Sequence, residues 1–436
     1  MIQPMAPTSK LSPALRALRH RNYQLFFAGQ FISVIGTWMQ NVAQAWLVYR
    51  LTQSSVLLGL VGFIGQFPVF LLAPVGGLAA DRWRRHRIIV GTQAAMMVLA
   101  FALAAITLSG TVQVSQVLVL AGLLGVVNAF DIPARQSFIV QMVGRADLPN
   151  AIALNSSLFN SARIIGPAIA GVLVAAIGEG WCFFANGVSY LAVIAGLLLM
   201  RIEPPVQVHA PGSPLAHLVA GFRWVGRTRP IRALLMQLGI VSLVGMPYTV
   251  LMPIFADRIL HHGAAGLGIL MGATGVGAVA GAIRLALRQG TGGLGRWVAY
   301  STFSFGALLI LFSLSRSFWL SALILVPVGF AFIVQMAASN TLIQSMVPDA
   351  LRGRVMAAYS MMFMGMAPLG ALGAGIAAAH LGAPLTVAIG GAGSCVSAAV
   401  FFSRLPSLRA EARELLLAQE MVGGDPADGA SGGRIA

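Results

Sequence analysis

The group in this chain most able to do chemistry is an aspartate inside an apolar run. Asp131 stands in Asn128-Ala-Phe-Asp131-Ile-Pro133-Ala-Arg135. A carboxylate surrounded by hydrocarbon needs a cationic partner or takes up a proton. Two arginines compete for it. Arg135 follows four residues on, although Pro133 interrupts the turn between them. Arg163 lies near the middle of the next apolar run, where its charge costs about 2.5–3.5 kcal/mol on insertion scales and calls for a carboxylate or a polar cavity. Counted at about 1.5 Å per helical residue, Asp131 lies about 9 Å and Arg163 about 16 Å from the same boundary, a gap that an arginine side chain closes. The spacing predicts an Asp131–Arg163 pair, with Arg135 as the alternative partner. The pair reads equally as a proton-exchanging centre, with Asp131 the acceptor, or as a permanent structural ion pair.

A second set of polar groups falls on one stripe. Gln30, Ser33, Thr37, Gln40 and Gln44 recur at steps of three and four in an otherwise apolar segment. Facing lipid, those amides would be unsatisfied, so they face protein or water. Gln237 and Tyr248 in a seventh apolar run, and Gln335, Asn340 and Gln344 in a tenth, are further polar side chains in apolar surroundings. The seven histidines fall at run ends or connections and make no metal-binding motif, so no metal site is expected. The one lysine, Lys10, precedes Leu11, so the Gly-Lys-Ser/Thr of a phosphate-binding loop is absent. No nucleophile–base pair and no sizeable extramembrane stretch suggests an enzyme.

What positions these residues follows from composition. Of 436 residues, 58% are hydrophobic and 9% charged, against about 25% charged in a soluble domain. Mean hydropathy is +0.84. Apolar runs of spanning length recur at 22–49, 55–79, 88–109, 114–137, 152–176, 181–200, 231–256, 265–287, 297–315, 318–344, 354–379 and 384–403. With both ends inside, 24 of the 28 basic residues fall in or beside inner connections, and only Arg50, Arg258 and Arg316 fall outside. That asymmetry accounts for the net charge of +16 through anionic lipid, and leaves no reason to invoke nucleic acid.

The fold class expected is an all-α polytopic membrane protein of twelve helices in two pseudo-symmetric six-helix bundles. The division is a cytoplasmic N-terminus over 1–21, a first bundle over 22–200, a cytoplasmic linker over 201–230, a second bundle over 231–404 and a disordered cytoplasmic tail over 405–436. In the linker, Leu215, Leu218, Val219, Phe222 and Val225 beside Arg223 and Arg227 predict a short helix on the inner leaflet. A weak repeat joins the halves: Gln141-Met-Val-Gly-Arg-Ala-Asp-Leu148 resembles Gln344-Ser-Met-Val-Pro-Asp-Ala-Leu351 at an offset of 203 residues.

The connection after the second run reads Gly77-Leu-Ala-Ala-Asp81-Arg82-Trp-Arg84-Arg85-His-Arg87. It resembles the signature loop between helices 2 and 3 of the major facilitator superfamily, with Arg84 in place of a second glycine. In such a loop Gly77 lets two helices approach, Asp81 pairs with Arg82 or Arg85, and Arg87 completes the basic run, a polar latch on an inner gate. The runs Gly36-Thr-Trp38-Met-Gln40, Asn128 to Ser137, Leu148-Pro-Asn150-Ala-Ile-Ala-Leu-Asn155 and Val347-Pro-Asp349-Ala-Leu-Arg352-Gly-Arg354 together resemble the enterobactin-exporter-like, or transmembrane secretion effector, branch over about residues 19–405. Arg163, Gly166-Pro167 and Gly171 resemble the antiporter motif of facilitator exporters, which reads either as ordinary helix packing or as a leak-preventing hinge.

These resemblances imply proton-coupled export of small molecules such as siderophores or drugs, by alternating access, from a bacterial inner membrane. They imply a monomer with both termini cytoplasmic and no cofactor beyond the proton gradient. The superfamily fold implies a substrate cavity lined by spans one, four, seven and ten, so that Gln30, Ser33, Thr37, Gln40, Gln44, Gln237, Tyr248, Gln335, Asn340 and Gln344 meet either the substrate or only neighbouring helices. A uniporter or importer, and a non-transporting sensor or scaffold of the same fold, are the alternatives.

Overall fold

The computed structural model describes residues 13–201, 223–288, 290 and 292–423. Helix follows helix because hydrocarbon offers backbone N–H and C=O groups no partner, and only a helix pairs them within the segment. A short helix, Pro13–Arg19, precedes α1 (Arg21–Thr52), α2 (Ser55–Arg82) and α3 (Arg85–Leu108). The run Val114–Ile177 stays helical except at Gly144, where φ 72° and ψ 175° turn the chain. That left-handed φ suits glycine. The two limbs are α4, over 114–143, and α5, over 145–177. Side-chain contacts show the reversal: Phe26 of α1 meets Phe138, whereas Tyr23 bonds to Ala151 and Trp38 lies against Gly166. There follow α6 (Glu179–Leu198), α7 (Arg229–Ile259), α8 (Gly263–Ala286), α9 (Leu294–Leu314), α10 (Phe318–Met346), α11 (Leu351–Leu381) and α12 (Ala383–Gly423).

Ten helical runs among the described residues are long and apolar enough to cross a membrane. Val114–Ile177 supplies two spans, and α1 is long enough but carries the polar stripe, which brings the number to twelve. The repeat blocks occupy matching reversals, since Gly144 and Val347, where α10 ends, are the same 203 residues apart.

The chain packs as two compact units, one of Met1–Leu51 with Leu71–Ala210, the other of Thr52–Phe70 with Pro211–Ala436. The core of the first gathers Tyr23, Phe26, Ile89, Phe138 and Leu197. In the second, α8 and α10 cross closely. A Cβ on Gly277 would overlap the Val326 carbonyl, and one on Gly329 the Thr274 carbonyl. Gly277-Ala-Val-Ala-Gly281 is the small-residue spacing that such a crossing needs.

Two expectations meet the structure differently. Helix α12 does not end at 404. It runs past Pro406 to Gly423, because Leu405, Leu408, Ala412 and Leu415 keep a helical apolar spacing and pack on the cluster of Val225, Ile231 and Phe401. Residues 424–436 lie outside the described residues. So do Leu215, Leu218, Val219 and Phe222 of the expected linker helix, and of that segment only 223–227 is described, as helix.

Gly329→Leu should destabilise the protein by about 1–3 kcal/mol through overpacking against the α8 backbone. Thermal unfolding of the purified protein in detergent checks this, with Gly353→Ala, where a Cβ meets nothing within 4 Å, as the unaffected control.

Candidate functional site

The buried carboxylate lies where four helices of the first unit meet. Helix α4 keeps helical backbone through Pro133, so Asp131 and Arg135 stay one turn apart on one face. Asp131 is 0% exposed. Its Oδ1 accepts hydrogen bonds from Thr92 Oγ1 at 2.8 Å and Gln93 Nε2 at 3.0 Å, both on α3. Its Oδ2 lies 3.3 Å from Arg135 Nη2 and accepts no hydrogen bond. Arg135 Nη1 donates to Gln30 Oε1 on α1 at 2.9 Å, and the guanidinium carbon stands 5.6 Å from the centre of the Phe159 ring on α5. One carboxylate is thus tied to α3 through Thr92 and Gln93, and to α1 and α5 through Arg135.

This geometry corrects the predicted pairing. The ion-pair partner of Asp131 is Arg135, not Arg163, because Pro133 leaves the turn intact and places the i,i+4 guanidinium 3.3 Å from the carboxylate. Arg163 stands over the Trp38 ring of α1, its guanidinium carbon 5.8 Å from the centroid. Beside it, Gly166 admits α1 so closely that a Cβ would come within 2.5 Å of Trp38 Cβ. Gly166, Pro167 and Gly171 are buried.

Of the α1 stripe, Gln30, Ser33 and Gln40 are buried while Thr37 and Gln44 are half-buried. Gln40 Oε1 accepts from Asn186 Nδ2 of α6 at 2.7 Å, and Thr37 Oγ1 donates to the Ser33 carbonyl. In the second unit, Gln237 Oε1 accepts from Ser397 Oγ of α12 at 2.7 Å. The Tyr248 ring packs edge-on against Phe305 of α9. Gln335 is 1% exposed with neither amide atom bonded, as is the hydroxyl of Ser339 one turn on. Asn340 and Gln344 bond to each other at 2.6 Å on a more exposed face. Helix α7 widens to π geometry at Val241–Gly245 and Phe255–Ile259, and α11 does so at Met361–Gly365. Such bulges favour sites of function or motion.

At the α2–α3 connection, Asp81 Oδ1 lies 3.8 Å from Arg85 Nη2, and Arg85 also donates to the carbonyls of Ala80 and Ser137. Arg82 and Arg87 are exposed. Arg84 has φ −64° and ψ 111°, so the turn makes no demand for glycine there. The close approach falls on a different glycine from the one the motif pointed to. A Cβ on Gly77 would meet nothing within 4 Å, whereas one on Gly76 would overlap the Ala129 carbonyl of α4.

A family model described as transmembrane secretion effector matches residues 9–422. The chain belongs to that family, within the major facilitator superfamily. It is a secondary transporter rather than an enzyme. Proteins to which it is similar include a staphyloferrin A transporter of Staphylococcus aureus, 26% identical over 382 residues covering 86% of this chain and 94% of that protein. The enterobactin exporter of Shigella boydii is 26% identical over 361 residues, covering 81% and 86%. In fold it is similar to the nucleoside transporter NupG (TM-score 0.68, 12% identity, 88% and 99% covered). A bacterial homologue of the lysosomal transporter Spinster in an inward-facing conformation is also similar (TM-score 0.62, 16%, 94% and 99%).

Sequence reasoning passed over Thr92, Gln93 and Asn186, although the unsatisfied-amide argument used for α1 applies equally to an amide in α3 or α6. It also missed a cluster outside the spans of this effector. Asp147 accepts from His20 Nε2 at 2.8 Å and lies 3.8 Å from Arg19 and 3.7 Å from Arg16, while Asn150 Oδ1 accepts from the Ala17 N–H at 2.8 Å. The segment Pro13–Arg19 is clasped onto the α4–α5 connection. The His20 hydrogen bond, and then the Arg19 and Arg16 charges, hold the Asp147 carboxyl below its ordinary range. A carboxyl lowered in the clasped state favours clasping above the ordinary aspartate pKa of about 3.9, and loses that effect as pH falls through its lowered value.

Gly76→Ala should lower folded yield while Gly77→Ala leaves it unchanged, measured by size-exclusion chromatography in detergent. Asp147→Asn at neutral pH, or acidification of the parent protein below about pH 3.9, should lower the protection of the Ala17 amide against hydrogen exchange, its rate being referred to the intrinsic rate at the same pH and read by mass spectrometry.

Proposed function

We propose that this chain is a proton-coupled exporter of small molecules in which Asp131 carries the proton. The observation that supports this most directly is a carboxylate with no exposure, whose Oδ2 lies 3.3 Å from Arg135 and accepts no hydrogen bond among the described residues. Oδ2 is the oxygen open to a proton. Protonation there neutralises one member of the Asp131–Arg135 pair, so the guanidinium leans on its other partners, Gln30 of α1 and the Phe159 face of α5. The protonation state of α4 is thereby felt by two further helices, which is what alternating access needs if proton entry is to drive the outward passage of a substrate.

In this reading the protein alternates between inward- and outward-open states, and the amides of α1, α7 and α10 are the groups offered to the cargo. The unbonded Gln335 amide, the Gln237 amide nitrogen and the Ser339 hydroxyl supply polar groups in search of a partner. Siderophores of the kind named for the two relatives are the substrate class proposed, because the similarity to both extends over most of the chain. The crowding of arginine on one set of connections supports an inner-membrane location, with both termini and the Asp147 clasp in the cytoplasm. The effector is proposed to work as a monomer, with the proton gradient as its only energy source.

Transport into inverted vesicles, driven by an imposed pH gradient, tests the coupling. Asp131→Asn should reduce gradient-driven uptake to that of empty vesicles while the folded protein stays in the membrane. Arg135→Gln should lower transport and shift its pH profile. Undiminished gradient-driven uptake by Asp131→Asn would remove the proton role.

A further inference from the structure

At the arginine-rich end of the second unit, α9 and α12 and the adjoining ends of α7 and α10 enclose a cavity of about 420 Å³ that the transport mechanism does not use. One wall is apolar, with Leu234, Met346 and Phe401; the other carries Arg296, Arg409 and Arg413. No acidic residue lines it among the described residues. None of the three guanidinium groups has a carboxylate within 4 Å among the described residues, although Arg229 nearby is paired with Glu411 at 3.3 Å. Three like charges around one small cavity repel each other, and an anion held between them relieves that repulsion. Helix α9 begins at the rim, where Gly293 and Gly295 join the lining, so the positive end of its dipole adds to the arginines.

Which anion belongs there is decided by what adjoins the cavity. Four residues along α9 from Arg296 stands Tyr300, and beside Phe401 on α12 stands Phe402. Their rings lie 5.6 Å apart, and the residues are 57% and 46% exposed. This outward aromatic pair carries the apolar surface from the cavity wall onto the face that meets hydrocarbon. A soluble anion has no use for that continuation, whereas a lipid has a chain to lay on it. We propose that this cavity is a binding site for an anionic phospholipid, with the phosphate among Arg296, Arg409 and Arg413 and an acyl chain over Tyr300 and Phe402. A volume of about 420 Å³ suits a headgroup rather than a whole lipid. The proposal rests on the arginine-rich face being the inner one only for the choice of leaflet that supplies the lipid.

The full-length protein, purified and stripped of lipid in detergent, is titrated with phosphatidylglycerol or phosphatidylcholine in mixed micelles and read by native mass spectrometry. Phosphatidylglycerol should bind more tightly than phosphatidylcholine, and millimolar inorganic phosphate should not displace it. Each of Arg296→Gln, Arg409→Gln and Arg413→Gln should weaken binding about fivefold, the value of roughly 1 kcal/mol per arginine at an anionic surface, and the triple variant about a hundredfold. Arg296 and Arg413 are exposed and make no ion pair within the described chain, so their single variants fold and keep the test decisive. Equal binding of the two lipids, or a triple variant that keeps its phosphatidylglycerol, overturns the site. Full displacement by inorganic phosphate overturns the lipid assignment in favour of a soluble anion. No transport step enters the readout, so loss of the proton mechanism and loss of this site are told apart.

Discussion

Hydrocarbon supplies no hydrogen-bond partner, and almost every feature of this chain answers that one constraint. The backbone answers with helices. The side chains answer by pairing across them: Gln40 with Asn186, Gln237 with Ser397, and Gln30 with Arg135. Because hydrophobic attraction does not hold one helix to another in lipid, close packing must do so instead, and glycine permits it. Gly277 and Gly329 answer each other across α8 and α10, and Gly36 lets α6 come near enough for Asn186 to reach Gln40. The polar contacts and the bare glycine contacts are therefore two parts of one solution.

Proline sharpens the point. Pro133 has no N–H for the Ala129 carbonyl, and Pro247 has none for the Leu243 carbonyl. In each case a glycine of a neighbouring helix, Gly76 on α2 and Gly370 on α11, comes against that same oxygen with no room for a Cβ. A carbonyl deprived of its helical donor still gains from a Cα–H contact, and only glycine brings a backbone that near. Pro133 thus lies inside α4 without undoing it, and the Asp131–Arg135 turn on either side of it survives.

This is also where sequence reading stops. The twelve spans, their reversals and the buried state of Asp131 were legible because hydropathy and charge vary over twenty residues at a time. The α1 stripe was legible because its period is helical. The partner of Asp131 was not, since depth arithmetic treats Pro133 as a break and cannot know that a neighbouring glycine repairs it. Gly76 and Gly77 are adjacent and identical in type, and only the rotation of α2 decides which one meets Ala129. The helical run from Leu405 to Leu415 was written in its apolar spacing but hidden by the Gly-, Ala- and Asp-containing composition that follows it. Asp147 gave no signal, because a clasp between an N-terminal segment and a connection over a hundred residues away leaves no periodic trace.

The contrast between the two charged aspartate sites shows how the same chemistry takes different weight with depth. Asp147 meets His20 and two arginines at the water boundary, where solvent screens each contact and loss of one leaves the others in place. Asp131 meets one arginine in hydrocarbon. A proton placed on it leaves the Arg135 charge without its counter-ion, and a lone guanidinium at such depth costs about 2.5–3.5 kcal/mol on insertion scales. One pH unit of gradient supplies only about 1.4 kcal/mol per proton. Protonation with every helix held still would cost more than such a gradient returns. In the proposed mechanism the proton therefore arrives together with a movement that gives Arg135 new company, and Gln30 already ties that arginine to the helix that carries the polar stripe.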